Sequence, residues 1–172
     1  MKKSLTGALY FLVITISTMI SADSIRQDIA DDYDNYLSSL FVHFHKNPEL
    51  SNQEYKTAAR LAKELEAKGF EVTTKVGGTG LVAIMKNGEG PLVMMRADMD
   101  ALPIKEKTQL PYASKVMMKD LITGEMTPVM HACGHDVHIT SLVGTARRMS
   151  ALKSNWSGTL MLIGQPAEET GP

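Results

Sequence analysis

The sequence is poor in several things, and each shortage narrows what the chain can be. Its 172 residues include one cysteine, Cys133, so no internal disulfide can staple the fold. There is no basic block and no acidic tail, and the formal charge is −1. Nucleic-acid phosphates demand a clustered cationic surface, so no nucleic-acid partner is expected. Neither an internal repeat nor a low-complexity segment is present. What remains is ordinary globular material: 44% hydrophobic and 22% charged residues, in a chain long enough for one domain with a real core.

The apolar run at the start is read separately. Lys2 and Lys3 precede a mostly apolar stretch from Leu5 to Ile20, followed by Ser21, Ala22 and the polar Asp23. That is the layout of a secretory leader. A membrane anchor is the competing reading, but the run is short for a span and carries Thr6, Gly7, Thr15 and Ser17. Residues 1–22 are therefore expected to be a signal peptide and the mature protein periplasmic or secreted, with no stable membrane partner. In an oxidising compartment a free thiol is a liability unless buried or occupied, so the surroundings of Cys133 become informative.

Ile25, Ile29, Tyr33, Tyr36, Leu37, Leu40, Phe41 and Phe44 recur at helical spacing, predicting a helix over 25–46 that Pro48 stops. Ser51-Asn-Gln-Glu54 has the form of a capping box for a second helix, carrying Ala58, Leu61, Ala62 and Leu65 and ending at Gly69. Strands are predicted at Phe70–Thr74, Leu81–Met85, Leu92–Met95 (a short apolar run typical of a buried strand) and Thr159–Ile163, where Gly164 is expected to end the strand. A helix from Val137 passes through Leu142, Val143, Ala146 and Met149. The glycines at 77–80 resemble a phosphate loop, but no helix opens after them, so they read as a turn. The stretch 105–127 is polar and loop-like. This order argues an α/β sandwich around a mixed sheet.

Three clusters carry chemistry. Arg96-Ala-Asp98-Met-Asp100-Ala-Leu-Pro103 directly follows an apolar strand, and an extended chain would point Asp98 and Asp100 the same way. His131-Ala-Cys133-Gly-His135-Asp136-Val-His138 precedes a helix, and Gln165-Pro-Ala-Glu168-Glu169 follows a strand. Ligands of open α/β sheets gather beyond the carboxyl ends of strands. A lone histidine here would more often be a core or surface residue. Three imidazoles, a thiol and a carboxylate within eight positions instead suit a borderline metal such as zinc, with Gly134 allowing the turn that lets Cys133 and His135 converge. A metal would also protect the thiolate. Adjacent acids are usually a solvated turn, yet Glu168 and Glu169 could divide the labour of amide hydrolysis, one as ligand and one as base. A cysteine nucleophile activated by His135 fits less well, because residues so close in a glycine turn seldom align as nucleophile and base.

With these clusters the chain resembles the metal-dependent amidohydrolases that include hippurate hydrolase, auxin-conjugate hydrolases and N-acyl-amino-acid deacylases. The matching text is Phe44-His45-Lys-Asn-Pro48-Glu49-Leu50-Ser51, Gly77-Gly78-Thr79-Gly80, RADMDALP at 96–103, MHACGHDVH at 130–138 and QPAEET at 165–170. The resemblance implies a three-layer, zinc-exopeptidase-like catalytic domain, incomplete in this chain. It implies two divalent metal ions (zinc, or manganese, cobalt or nickel), with Cys133 bridging them and His135 and Glu169 as further ligands. Glu168 is then the general base acting on a metal-bound water, and Asp100 steers a ligand imidazole. Asp98 stands where the wider family has a histidine ligand; His131, Asp136 and His138 receive no direct catalytic role. The substrate implied is an N-acyl amino acid or short peptide. A dipeptidase or carboxypeptidase of the same superfamily is the alternative enzyme, and a metal-binding or structural remnant the alternative to an enzyme. Family members continue well past residue 172, supply two more histidine ligands and are homo-oligomers through an inserted domain. On that basis 23–172 is expected to be the N-terminal part of a catalytic domain, inactive alone. No substrate-binding residue can be assigned.

Overall fold

The computed structural model describes residues 22–170; the expected leader, except for Ala22, lies outside them. The first helix runs as α1 (Ala22–Asp32), a π-helical turn (Tyr33–Leu37) and α2 (Ser38–Lys46), ending before Pro48 as expected. Asp32 anchors it: its carboxylate accepts hydrogen bonds from Arg147 at 2.7 Å and Arg148 at 3.0 Å. Burial works to raise the Asp32 pKa, but the two guanidinium groups outweigh it and hold it below the usual value. No helix among the described residues is long and apolar enough to cross a membrane.

Next come α3 (Tyr55–Glu66) and four strands of one sheet, β1 (Glu71–Val76), β2 (Gly80–Asn87), β3 (Leu92–Asp98) and, after the intervening elements, β6 (Gly158–Gln165). Between them lie a small hairpin, β4 (Met117–Lys119) with β5 (Met126–Pro128), inside the stretch read as loop, and α4 (His135–Ala151). The sheet order is β1-β2-β6-β3, antiparallel except for the parallel β3–β6 pair. It is thus a mixed sheet in an α/β domain. Leu81, Ala83, Met85, Leu160 and Leu162 alternate onto one face and pack with Leu40, Phe44, Leu61, Leu65, Leu142 and Val143 of the helices. On the opposite face Val82, Ile84, Met161 and Ile163 are only partly covered. Of the three expected layers, the described residues supply the sheet and the helices over one face.

Two local expectations fail. Leu92, Val93 and Met94, expected to be buried, are 56–61% exposed, because β3 is an edge strand among the described residues. Gly164 does not end its strand. A Cβ there would lie 2.8 Å from the Met99 sulfur and 3.0 Å from Leu61, so glycine lets α3 approach while β6 continues to Gln165.

The parallel pair positions everything that follows. Asp98 and Gln165 are direct partners at the carboxyl ends of β3 and β6, and the Met99 N–H donates to the Gln165 carbonyl at 3.0 Å. The first and third clusters of the sequence therefore emerge side by side. The crossover that makes the strands parallel is α4, which opens with the second cluster.

Candidate metal centre

His135 is the first residue of α4, and Gly134 precedes it in the left-handed conformation, φ 82°. No atom crowds a Cβ at Gly134, so the glycine is needed for its backbone angle rather than for space. The His135 ring is buried. Its Nδ1 donates to the Asp100 carbonyl at 2.8 Å, which leaves Nε2 with its lone pair available to a ligand. That Nε2 faces Glu168 Oε2 at 3.6 Å and Glu169 Oε1 at 3.8 Å. One donor atom from each of His135, Glu168 and Glu169 falls within 4.8 Å of the others, and the same holds for Asp98, His135 and His138.

Asp100 ties the site together. Its side chain is fully buried: Oδ2 accepts the Ser51 hydroxyl at 2.6 Å and the Glu169 backbone N–H at 2.9 Å, while Oδ1 lies 3.3 Å from His135 Nδ1. It thus fixes both the imidazole and the turn carrying the two glutamates. Glu169 is the more buried of the pair, its side chain 16% exposed against 42% for Glu168. Adjacent acids have separated into an inward and an outward carboxylate.

Cys133 is exposed rather than sequestered. The neighbouring Glu169 carboxylate first, then burial and the charges of Glu168 and Asp100, push its thiol pKa up. The structure brings Asp100, His135, Glu168 and Glu169 together, while Cys133 lies beside Glu169 and belongs to neither donor group. His138 lies at the rim, half exposed, its ring stacked on that of His135 at 5.3 Å and its Nδ1 3.7 Å from Asp98. His131 is buried nearby. Burial pushes its pKa down to about 4, with His135 and His45 adding to the shift and Asp136 opposing it.

The donor set fits a divalent cation. Oδ1 of Asp98, Oδ1 of Asp100 and Oε1 of Glu169 are buried with no hydrogen-bond partner. Asp98 Oδ1 does lie 3.2 Å from Arg96 Nε, a contact that counts as charge proximity without a well-directed hydrogen bond. Buried carboxylate oxygens left so are costly, on the order of 1–3 kcal/mol each or more. An imidazole and carboxylates converging within 4.8 Å, with a thiol close by, suit a zinc-like ion.

The comparisons with known proteins agree. Residues 94–172 match the family described as Peptidase family M20/M25/M40. Residues 94–172 therefore belong to an M20 peptidase domain. Among M20 relatives the chain is 43% identical to N-acetyl-L-cysteine deacetylase of Bacillus subtilis, over 75% of this chain and 29% of that protein. It is 44% identical to hippurate hydrolase of Campylobacter jejuni, over 73% and 30%. It is 42% identical to IAA-amino acid hydrolase ILR1-like 6 of Arabidopsis thaliana, over 88% and 30%. Among solved structures, the YXEP protein of Bacillus subtilis, described as a dinuclear metal binding peptidase from the M20 family, superposes with a TM-score of 0.70 at 38% identity, covering 81% of this chain and 36% of that one. The chain spans about a third of the length of the curated relatives it matches.

Several residues that shape the candidate M20 site carry no local sequence pattern of that role. Ser51 and Glu54 do not form a capping box. Ser51 bonds Asp100, and Glu54, fully buried, accepts the Ala167 N–H at 2.8 Å and the Thr79 hydroxyl. The first turn of α3 is capped instead by Glu49, whose carboxylate accepts the N–H groups of Lys56 and Thr57 at 2.9 and 2.8 Å. The Gly77–Gly80 turn is a turn, as expected, but it belongs to the site's support. Thr79 bonds Glu54, and a Cβ on Gly80 would lie 2.8 Å from Pro166. The available signal was that Glu49, Ser51 and the 77–80 turn stand inside the family-like text; Glu54 lies just outside it.

Proposed function

We propose that the full-length protein carrying this chain is a metal-dependent amidohydrolase that cleaves the amide bond of N-acyl amino acids or similar small conjugates. The observation that carries this reading is the convergence of His135 Nε2, Glu168 and Glu169 within 4.8 Å, held from behind by Asp100. The names of the relatives at 42–44% identity denote an acyl group joined to an amino acid. The dipeptidase neighbours share only 15%, so the acyl-amino-acid class is preferred.

Cys133, His135 and Glu169 would hold a pair of divalent cations, zinc or manganese, cobalt or nickel, together with ligands from chain beyond this segment. Such cations supply Lewis-acid polarisation of the scissile carbonyl and make water a stronger acid. Glu168, the more exposed carboxylate, takes the proton of the attacking water and returns it to the departing amine. Asp100 keeps His135 in the tautomer that presents Nε2 and fixes the backbone of Glu169, so the base and the ligand stay in register. Residues 1–22 act as the export leader in this reading, which N-terminal sequencing of protein recovered outside the cytoplasm would check.

The test is hydrolysis of a hippurate-like substrate by the full-length protein, with metal content measured in parallel. Wild-type protein should hydrolyse it only when loaded with metal, and Glu168→Ala should retain metal but lose turnover. Equal rates for metal-loaded and chelator-treated enzyme, or an active Glu168→Ala protein, would overturn the proposal.

A further inference from the structure

A second histidine–carboxylate cluster lies behind the centre, and the chemistry above does not use it. His45, at the end of α2, has a ring wholly taken up by acids. Its Nδ1 is 2.7 Å from Asp136 Oδ2 and its Nε2 is 3.1 Å from Glu106 Oε1. The three side chains are 0–9% exposed. Phe41 and Tyr112 pack against the ring at 5.6 and 5.3 Å. With a carboxylate on each nitrogen, both ring nitrogens act as donors, and the imidazolium neutralises charge that would otherwise repel across the pocket.

Each acid belongs to a different segment. Glu106 is held by the Ser114 N–H at 2.5 Å and by the Thr108 hydroxyl, so it organises the loop after Pro103. Asp136 is the second residue of α4, immediately after His135, and its Oδ1 also accepts the Val137 N–H at 2.9 Å. Successive helix side chains diverge by about 100°. Asp136 can therefore point back to α2 while His135 points forward into the centre.

We infer that His45 is a positioning residue for the metal centre: by holding Asp136 and Glu106 together, it sets the first turn of α4 and so aims the His135 imidazole. This rests on the proposal that His135 is a metal ligand. The His135 ring is pinned on one side by the Asp100 carbonyl; the backbone that carries it is pinned on the other by Asp136 and His45. Removing the imidazole would take from two buried carboxylates the group that bridges them, and their repulsion then acts on the first turn of α4 through Asp136.

The experiment is calorimetric titration of zinc into metal-free full-length protein, for wild type, Glu106→Gln, His45→Gln and the double variant His45→Gln/Glu106→Gln, with folding checked by circular dichroism. Outer residues that orient metal ligands are worth roughly ten- to hundredfold in affinity, so His45→Gln should weaken zinc binding by that factor. Glu106→Gln keeps the His45–Asp136 bond and should bind within about threefold of wild type, by the same scale. The double variant should regain much of the loss, because one of the two repelling charges is gone. A role for His45 as mere filler predicts no such recovery. Affinity of His45→Gln equal to wild type, a double variant no tighter than the single one, or a large loss in Glu106→Gln would each overturn the inference. The Glu106→Gln arm holds even if His45→Gln fails to fold. A wild-type protein that binds no divalent cation overturns the metal reading and this inference together; tight binding indifferent to His45 overturns the inference alone.

Discussion

His45 and His135 are both buried, both surrounded by carboxylates, and both tied to the first turn of α4, yet their surroundings differ in kind. Around His45 each nitrogen has an acid at 2.7 or 3.1 Å, and Glu106 fills its remaining capacity with Ser114 and Thr108. Around His135 the nearest acids to Nε2 stand at 3.6 and 3.8 Å, beyond hydrogen-bond distance, and buried oxygens of Asp98, Asp100 and Glu169 have no hydrogen-bond partner. The same residue types therefore make a strut in one place and a receptive site in the other. Satisfaction of buried polar atoms separates the two, more than composition does.

The comparison breaks most visibly at Glu168. If the His135 side is the working centre, Glu168→Gln should lower kcat by about 10²–10⁴-fold with KM and metal content little changed. Steady-state kinetics on the full-length protein with metal analysis would check this. Glu54→Ala, far along the support, leaves the Thr79 hydroxyl and the Ala167 N–H without their shared acceptor. Turnover should drop by roughly ten- to hundredfold as the Glu168–Glu169 turn drifts, with Glu54→Gln recovering part of it. Asp100→Asn should weaken metal binding by roughly ten- to hundredfold, read by competition with a chelating dye.

The smallest effect expected is the pH dependence of stability at His45. Burial lowers the His45 pKa, but the hydrogen bonds and charges of Asp136 and Glu106 outweigh it and leave the value above 6.5. A raised folded-state pKa means the stabilisation is fully present below pH 6.5 and is lost as pH rises through the folded value. Thermal melts of wild type should therefore decline through that window. His45→Gln should lack this component, and identical pH profiles would contradict the pairing.

Much of the site was legible because its residues are dense in sequence. RADMD, HACGHD and PAEE each place candidate site side chains within a few positions, and the strand-to-helix punctuation around them puts all three beyond the same strand ends. The helices too were legible from spacing, since their apolar faces are long. The supports were not. His45 meets partners 61 and 91 residues away, and Ser51 and Glu54 look locally like a helix cap until Asp100 and Ala167 claim them. The edge position of β3 was equally hidden, because an apolar run of four residues reads the same whether or not a neighbour covers it.

In the proposed centre a thiolate, an imidazole and a carboxylate from this segment share divalent cations. X-ray absorption of the zinc-loaded full-length protein measures this most directly. A sulfur scatterer at about 2.3 Å from zinc, vanishing in Cys133→Ser, is the result expected; a zinc shell of only oxygen and nitrogen in the wild-type protein would contradict it.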